Sequence, residues 1–180
     1  MRNERNLYKS CLRFLRKISG VMFHARFGNS CVFCVVLVLI AAGISGCGEK
    51  EAKSMEEFQA FAQEQGYSLT DCTQQFESYG YIEQAWIAIA EDGSYQVEFY
   101  VLDSEQSACV FYQENFQILS QYEENAKSCV KSSTSTVQNY EITGTVGFGC
   151  VTRIGKTCFF AVVDQEAAGA VKRFKQQFGY

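Results

Sequence analysis

Two runs of strand-forming residues, Ile82–Ala90 and Tyr95–Leu102, flank Asp92-Gly93, and this arrangement restricts the fold more than any other feature of the chain. Asp-Gly between alternating apolar runs is the strongest short-range hairpin signal, because the turn that matches strand twist needs residues tolerant of positive φ. A two-residue turn there sets the register. Trp86 then faces Phe99 and Ala88 faces Val97 on one side, while Gln96 and Glu98 fall on the other. The hairpin is expected at the centre of an antiparallel sheet.

Helix signals surround it. Ser54-x-x-Glu57 is a capping box that opens a helix with Met55, Phe58, Phe61 and Ala62 on one face and Gly66 at its end. Tyr67–Asp71 reads as a short strand and 73–81 as a polar, aromatic loop. Asp103 and Ser104 cap a longer helix running to about Tyr122, with Ala108, Tyr112, Asn115, Leu119 and Tyr122 in one stripe. Lys131–Thr136 reads as a loop. Val137–Thr143, Thr145–Arg153 and Thr157–Val163 read as strands, the last two joined around Gly155-Lys156. Asp164 is placed to cap a final helix with Ala167, Ala168, Val171, Phe174 and Phe178 inward. The expected fold is α+β, a mainly antiparallel sheet with helices packed on it, in the order α-βββ-α-βββ-α. That order resembles two similar halves, although no residue-level repeat accompanies it. The 180 residues contain no proline, so the turns rest on Gly, Asn, Asp and Ser.

The first 46 residues stand outside this pattern. They carry seven basic side chains and one acid, and no charge occurs from Phe27 to Gly48. From Cys47 onward there are nine basic and 19 acidic residues, a formal charge of −10. A basic stretch followed by the apolar run 31–44 has the order of an export signal. The run ends in Ile44-Ser45-Gly46-Cys47, which resembles the lipobox of bacterial lipoproteins. The resemblance implies cleavage before Cys47 and diacylglycerol on its thiol. It implies a chain lipid-anchored at the bacterial cell membrane with the following domain outside. Residues 1–46 are then the signal, 47–53 the lipidated cysteine and a short tether, and 54–180 one extracytoplasmic domain. The alternative is an uncleaved signal anchor, but residues 31–44 are short for a span, which needs about 20 apolar residues. The basic region is long for a signal, and Met22 offers a later start.

Catalytic chemistry is marked by what the outer segment lacks. Its sequence has no histidine, since His24 lies in the leader, so Ser-His, Cys-His and His-metal sites are not expected. The cysteines Cys72, Cys109, Cys129, Cys150 and Cys158 are odd in number and match no zinc spacing. The two-residue turn at Gly155-Lys156 would place Cys150 opposite Ala161 and Cys158 opposite Arg153, on opposite faces of the sheet, so no bond is expected between them. Gly144-Thr-Val-Gly-Phe-Gly149 lacks the Gly-Lys-Ser/Thr ending of a phosphate loop and reads as a bend or close backbone approach. No metal and no cofactor is expected, and the negative charge argues against nucleic acid.

What remains is Phe76, Tyr79 and Tyr81, three rings in the one substantial aromatic loop. Rings with polar tips suit a glycan, a small molecule or a segment of an envelope protein. The competing reading makes them a lid on the core. The sequence favours a non-enzymatic binding or interaction module at the membrane surface. Its alternatives are an envelope-associated hydrolase using carboxylates or a Ser-Lys pair, and a structural partner of another envelope protein.

Overall fold

The computed structural model describes residues 50–145 and 147–180; the signal segment, the lipobox and Cys47 lie outside the described residues. Three α-helices, α1 (Met55–Glu64), α2 (Glu105–Ser120) and α3 (Ala168–Phe178), accompany seven strands. The strands are β1 (Ser68–Asp71), β2 (Ile82–Ile89), β3 (Gln96–Leu102), β4 (Ala126–Ser133), β5 (Val137–Gly144), β6 (Gly147–Ile154) and β7 (Thr157–Asp164). They form one antiparallel sheet in the order β1-β2-β3-β7-β6-β5-β4. The fold is α+β with helices packed on an antiparallel sheet, as the alternation of apolar periods requires.

The hairpin register is the expected one: Trp86 pairs with Phe99 and Ala88 with Val97. Its connection is longer than two residues. The Ala90 N–H donates to the Tyr95 carbonyl at 3.0 Å and the Gly93 N–H to the Ala90 carbonyl at 2.8 Å, with Gly93 at φ +68°. A four-residue loop centred on Asp92-Gly93 keeps the same register as a two-residue turn, because both are centred on the same pair. Trp86 is only half-buried, and the sheet's centre lies one pairing further on, where β3 meets β7 and Phe99 faces Phe159. At the β6–β7 turn Ile154 pairs with Thr157 across Gly155-Lys156, and Gly155 at φ +55° supplies the positive angle such a turn needs.

Side chains alternate across the sheet and fill two cores. One face, with Ala88, Val97, Phe99, Phe148, Cys150, Phe159 and Ala161, is covered by α1 and α3. Phe58 stacks on Phe99 at 4.9 Å between centroids and meets Phe178 edge-on at 5.6 Å. The opposite face, with Ala85, Tyr100, Tyr140, Ile142, Val151, Cys158 and Phe160, is covered by α2. Both cores are closed by side chains of residues 55–180 alone, so no other segment is needed to complete them. The helices α1 and α2 lie on opposite faces. Two copies of a half related by a two-fold axis between the antiparallel β3 and β7 would put both helices on the same face, so the halves are not a duplication.

The structure departs from the sequence reading in other places as well. A seventh strand, β4, lies mostly in residues 126–130, to which the sequence reading gives no element, takes in the first three residues of what reads as the loop 131–136, and makes the order α-βββ-α-ββββ-α. It is an edge strand, nearly all exposed, and has no apolar face to announce it. Asp164 ends β7, and α3 starts at Ala168 without a side-chain cap. The helix α2 stops at Ser120, leaving Tyr122 exposed. Residues 50–53 do not hang free as a tether: Ala52 lies against Gly155, and the Lys53 N–H reaches the Tyr180 hydroxyl at 3.4 Å.

Candidate functional site

The aromatic segment after β1 is not an irregular loop but a 3-10 helix, Thr73–Tyr79. The Asp71 carboxylate accepts the Thr73 N–H at 2.8 Å and starts it; Gly80, at φ +68°, returns its N–H to the Glu77 carbonyl and stops it. With three residues per turn, Thr73, Phe76 and Tyr79 share one side. The Thr73 hydroxyl accepts the Ala85 N–H of β2 at 3.0 Å, so that side is turned to the sheet. Phe76 meets Tyr100 of β3 edge-on at 5.5 Å, Tyr79 lies 6.0 Å from Phe76, and Tyr81 meets Tyr79 at 5.8 Å. The Tyr81 hydroxyl donates to the Glu114 carboxylate of α2 at 3.5 Å.

The three rings singled out in the sequence are thus brought together, as a ladder that runs from Tyr100 to the Glu114 carboxylate. All three are half-buried: Phe76 and Tyr81 both pack against the core under α2, Tyr79 lies between them, and the exposed Glu114 carboxylate stands beside Tyr81. Aromatic rims next to a hydrogen-bonding carboxylate hold polar rings and apolar side chains alike.

Two buried polar clusters went unnoticed in the sequence. On the α2 face, Glu98 is 5% exposed; it accepts from Gln96 at 3.1 Å and from the Tyr100 hydroxyl. Burial holds its carboxyl above the ordinary carboxylate range, against the lowering effect of those two bonds. The i, i+2 spacing of Gln96, Glu98 and Tyr100 on one strand face was the available signal. On the α1/α3 face, Lys175 is 3% exposed, and its ammonium bonds Glu141 and Asn139 of β5, each at 2.5 Å. Thr152 of β6 donates to the same Asn139 oxygen at 2.7 Å. Lys175 lies four residues after Val171 and three before Phe178, both inward, and that spacing gave it away.

Other candidates resolve locally. The five described cysteines are free, with Cys72, Cys150 and Cys158 buried. Gly147 and Gly149 are close approaches, not a phosphate loop: a Cβ on Gly147 would sit 2.1 Å from the Val163 carbonyl oxygen, and one on Gly149 would meet Leu119 of α2 at 2.7 Å. Arg153 is fully buried and ties the β6 end to the Gln138 side chain and to the Gly155 and Ser135 carbonyls. Of two open hollows, one of about 560 Å³ lies over Ala90, Glu91, Asp92 and Tyr95, and one of about 380 Å³ lies between residues 50–52 and Thr136, Ile154 and Gly155. Neither is lined by the aromatic ladder. In the first, the Asp92 carboxylate is already bonded to Ser94. Among the described residues no group of three or more His, Cys, Asp or Glu side chains is placed to hold a metal, and no helix is long and apolar enough to cross a membrane. Exposed large apolar side chains, Val110, Tyr122, Val130 and Val162, are dispersed over α2, the turn after it, β4 and β7. No family model, curated protein or solved structure matches this chain.

Proposed function

We propose that this chain is a lipid-anchored lipoprotein of the bacterial cell surface whose outer domain is a non-enzymatic binding module, with Tyr79, Tyr81 and Glu114 as its contact surface. The observation that carries the reading is the ring ladder. A lid needs only Phe76 to close over Tyr100, yet two further half-buried tyrosines continue the row to an exposed carboxylate on a different element. Rings already held by their neighbours lose little entropy on binding, which is where preorganised aromatic surfaces gain affinity. The chemistry fits a ligand with a flat apolar face and hydroxyl or amide donors for the carboxylate, as in a sugar ring or an extended peptide. The anchor is argued from Ile44-Ser45-Gly46-Cys47. Two acyl chains meet the requirement for stable attachment, which one chain does not.

The experiment has two arms. Intact-mass analysis of the native membrane-bound chain is expected to begin at Cys47 with added diacylglycerol, and an unmodified Cys47 overturns the anchor. Glycan and peptide arrays probed with the domain are expected to give ligands whose binding weakens at least tenfold in Tyr81→Ala. Ligands bound equally by that variant overturn the contact surface.

A further inference from the structure

We propose that the face along β5 marked at its two ends by the exposed Lys50 and Lys172, with the buried Lys175 between them, is a docking face for the anionic headgroups of the membrane that holds Cys47. The inference rests on the lipid-anchor reading above and gives the domain an orientation.

The row follows from the way α3 covers the sheet. The helix packs over β6 and β7 and leaves the same face of β5 to polar side chains, Asn139, Glu141 and Thr143, with Ser128, Val130 and Ser132 of the edge strand beside them. Lys175 sits at the middle of β5, on Asn139 and Glu141. Lys172 lies one helical turn earlier, its ammonium 3.3 Å from the Thr143 hydroxyl and 4.8 Å above the Phe148 ring. Lys50 lies toward the other end, by Thr136 and Ile154, near enough to Lys175 and Glu141 for their charges to act on it. From residue 137 to residue 143 the row spans about 20 Å of strand.

Charge and chain length together select the occupant. In a segment of formal charge −10, five of the nine basic residues, Lys50, Lys53, Lys172, Arg173 and Lys175, fall in residues 50–53 and α3. Glu141 neutralises Lys175, and Glu51 lies beside Lys50, so Lys172 is the strongest point of the row. Lys50 is three residues from Cys47, a contour of about 11 Å, so an acylated Cys47 cannot lie far from this face. Lysines held within a Debye length of an anionic leaflet are attracted to it, each by about fivefold in population. The opposite face of the sheet carries the Phe76–Tyr79–Tyr81 ladder. Docking through β5 therefore turns the proposed contact surface away from the membrane.

The test separates the anchor from the face. Residues 47–180 carrying Cys129→Ser, which removes the exposed thiol, are coupled through Cys47 to a maleimide lipid, with the attachment point verified by peptide mapping. Because this anchor is chemical, natural acylation of Cys47 is judged separately by the intact mass of the native chain. The coupled domain is placed on phosphatidylcholine vesicles with and without about a third phosphatidylglycerol. A water-soluble acylating reagent then reads the reactivity of each lysine. The expected result is that Lys50 and Lys172 react about fivefold more slowly on the anionic vesicles. Lys131, which lies on the other face over Phe116, should be unchanged, and Lys172→Glu should return Lys50 to its rate on the neutral vesicles. Equal rates for Lys50 and Lys172 on the two surfaces, or an equal slowing of Lys131, overturn the proposal.

Discussion

Cys150 and Cys158 are eight residues apart and face opposite ways: Cys150 sits opposite Ala161 under α1 and α3, and Cys158 sits opposite Arg153 under α2. One sheet thickness separates the two thiols, and no rotamer brings them together. Burial pushes the Cys150 thiol up to about 12, and the Cys158 thiol is raised by the same cause. Both are therefore thiols without thiolate character at neutral pH. A non-reducing peptide map is expected to show no Cys150–Cys158 bond. Thiol titration of the native domain should label Cys129 first and reach Cys150 and Cys158 only on unfolding.

Glu98 gives the domain a pH dependence of the opposite sign to that of most carboxylates. In the unfolded chain it ionises in the ordinary range, and in the folded chain burial raises it. Between those two values the folded state holds a proton that the unfolded state has released, so stability falls as pH rises through that window. Glu98→Gln removes the titrating group while its side chain still bonds Tyr100. Denaturant titrations from pH 4 to 8 are expected to show the variant gaining on the parent as pH rises. A constant difference across that range would mean that Glu98 does not titrate in it.

Gly147 lies where β6 and β7 run too close for a side chain. A Cβ there would lie 2.1 Å from the Val163 carbonyl oxygen and 3.2 Å from the Asp164 Cα, both backbone atoms that cannot swing aside. Gly147→Ala should cost about 3 kcal/mol or more, because β6 and β7 must separate at their ends. Gly149→Ala meets only side chains, Leu119 at 2.7 Å and Ile142 at 3.3 Å, and should cost less, about 1–2 kcal/mol. Chemical denaturation of the two variants orders them.

The hairpin and the β6–β7 register are legible because each is set by a turn residue whose backbone angle is special, Gly93 or Gly155, and by apolar alternation on both sides. The strand β4 is not legible for the reason that makes it an edge. Ala-Lys-Ser-Cys-Val-Lys-Ser-Ser buries almost nothing and exists through its pairing with β5, and its two lysines are the device by which edges resist further pairing. Glu98 and Lys175 mislead in a second way. Each sits at an inward position of its element, but polarity sends the eye outward, and only the partners Tyr100 and Glu141, on the same strand face or on another element, make the burial affordable. The aromatic segment shows a third case. Its residues 73, 76 and 79 carry a period of three, which neither helix nor strand templates detect.

The ladder from Tyr100 to Tyr81 makes binding and stability separable. Phe76 is lodged against Tyr100 and belongs to the α2 core, so Phe76→Ala should lower stability by about 2–3 kcal/mol. Trp86 is half-buried opposite Phe99 and should cost a similar amount, below the roughly 3–5 kcal/mol of a fully enclosed ring. Tyr79 and Tyr81 are the rungs nearer Glu114. Tyr79→Ala and Tyr81→Ala should each cost about 1 kcal/mol of stability and weaken a bound ligand by about 1–3 kcal/mol. Glu114→Gln should leave the fold unchanged and weaken only ligands that donate a hydrogen bond. Thermal melts of the four alanine variants decide between lid and contact surface before any ligand is identified. Tyrosine variants that melt as low as Phe76→Ala would make the whole ladder a lid, and the candidate site would be lost with it.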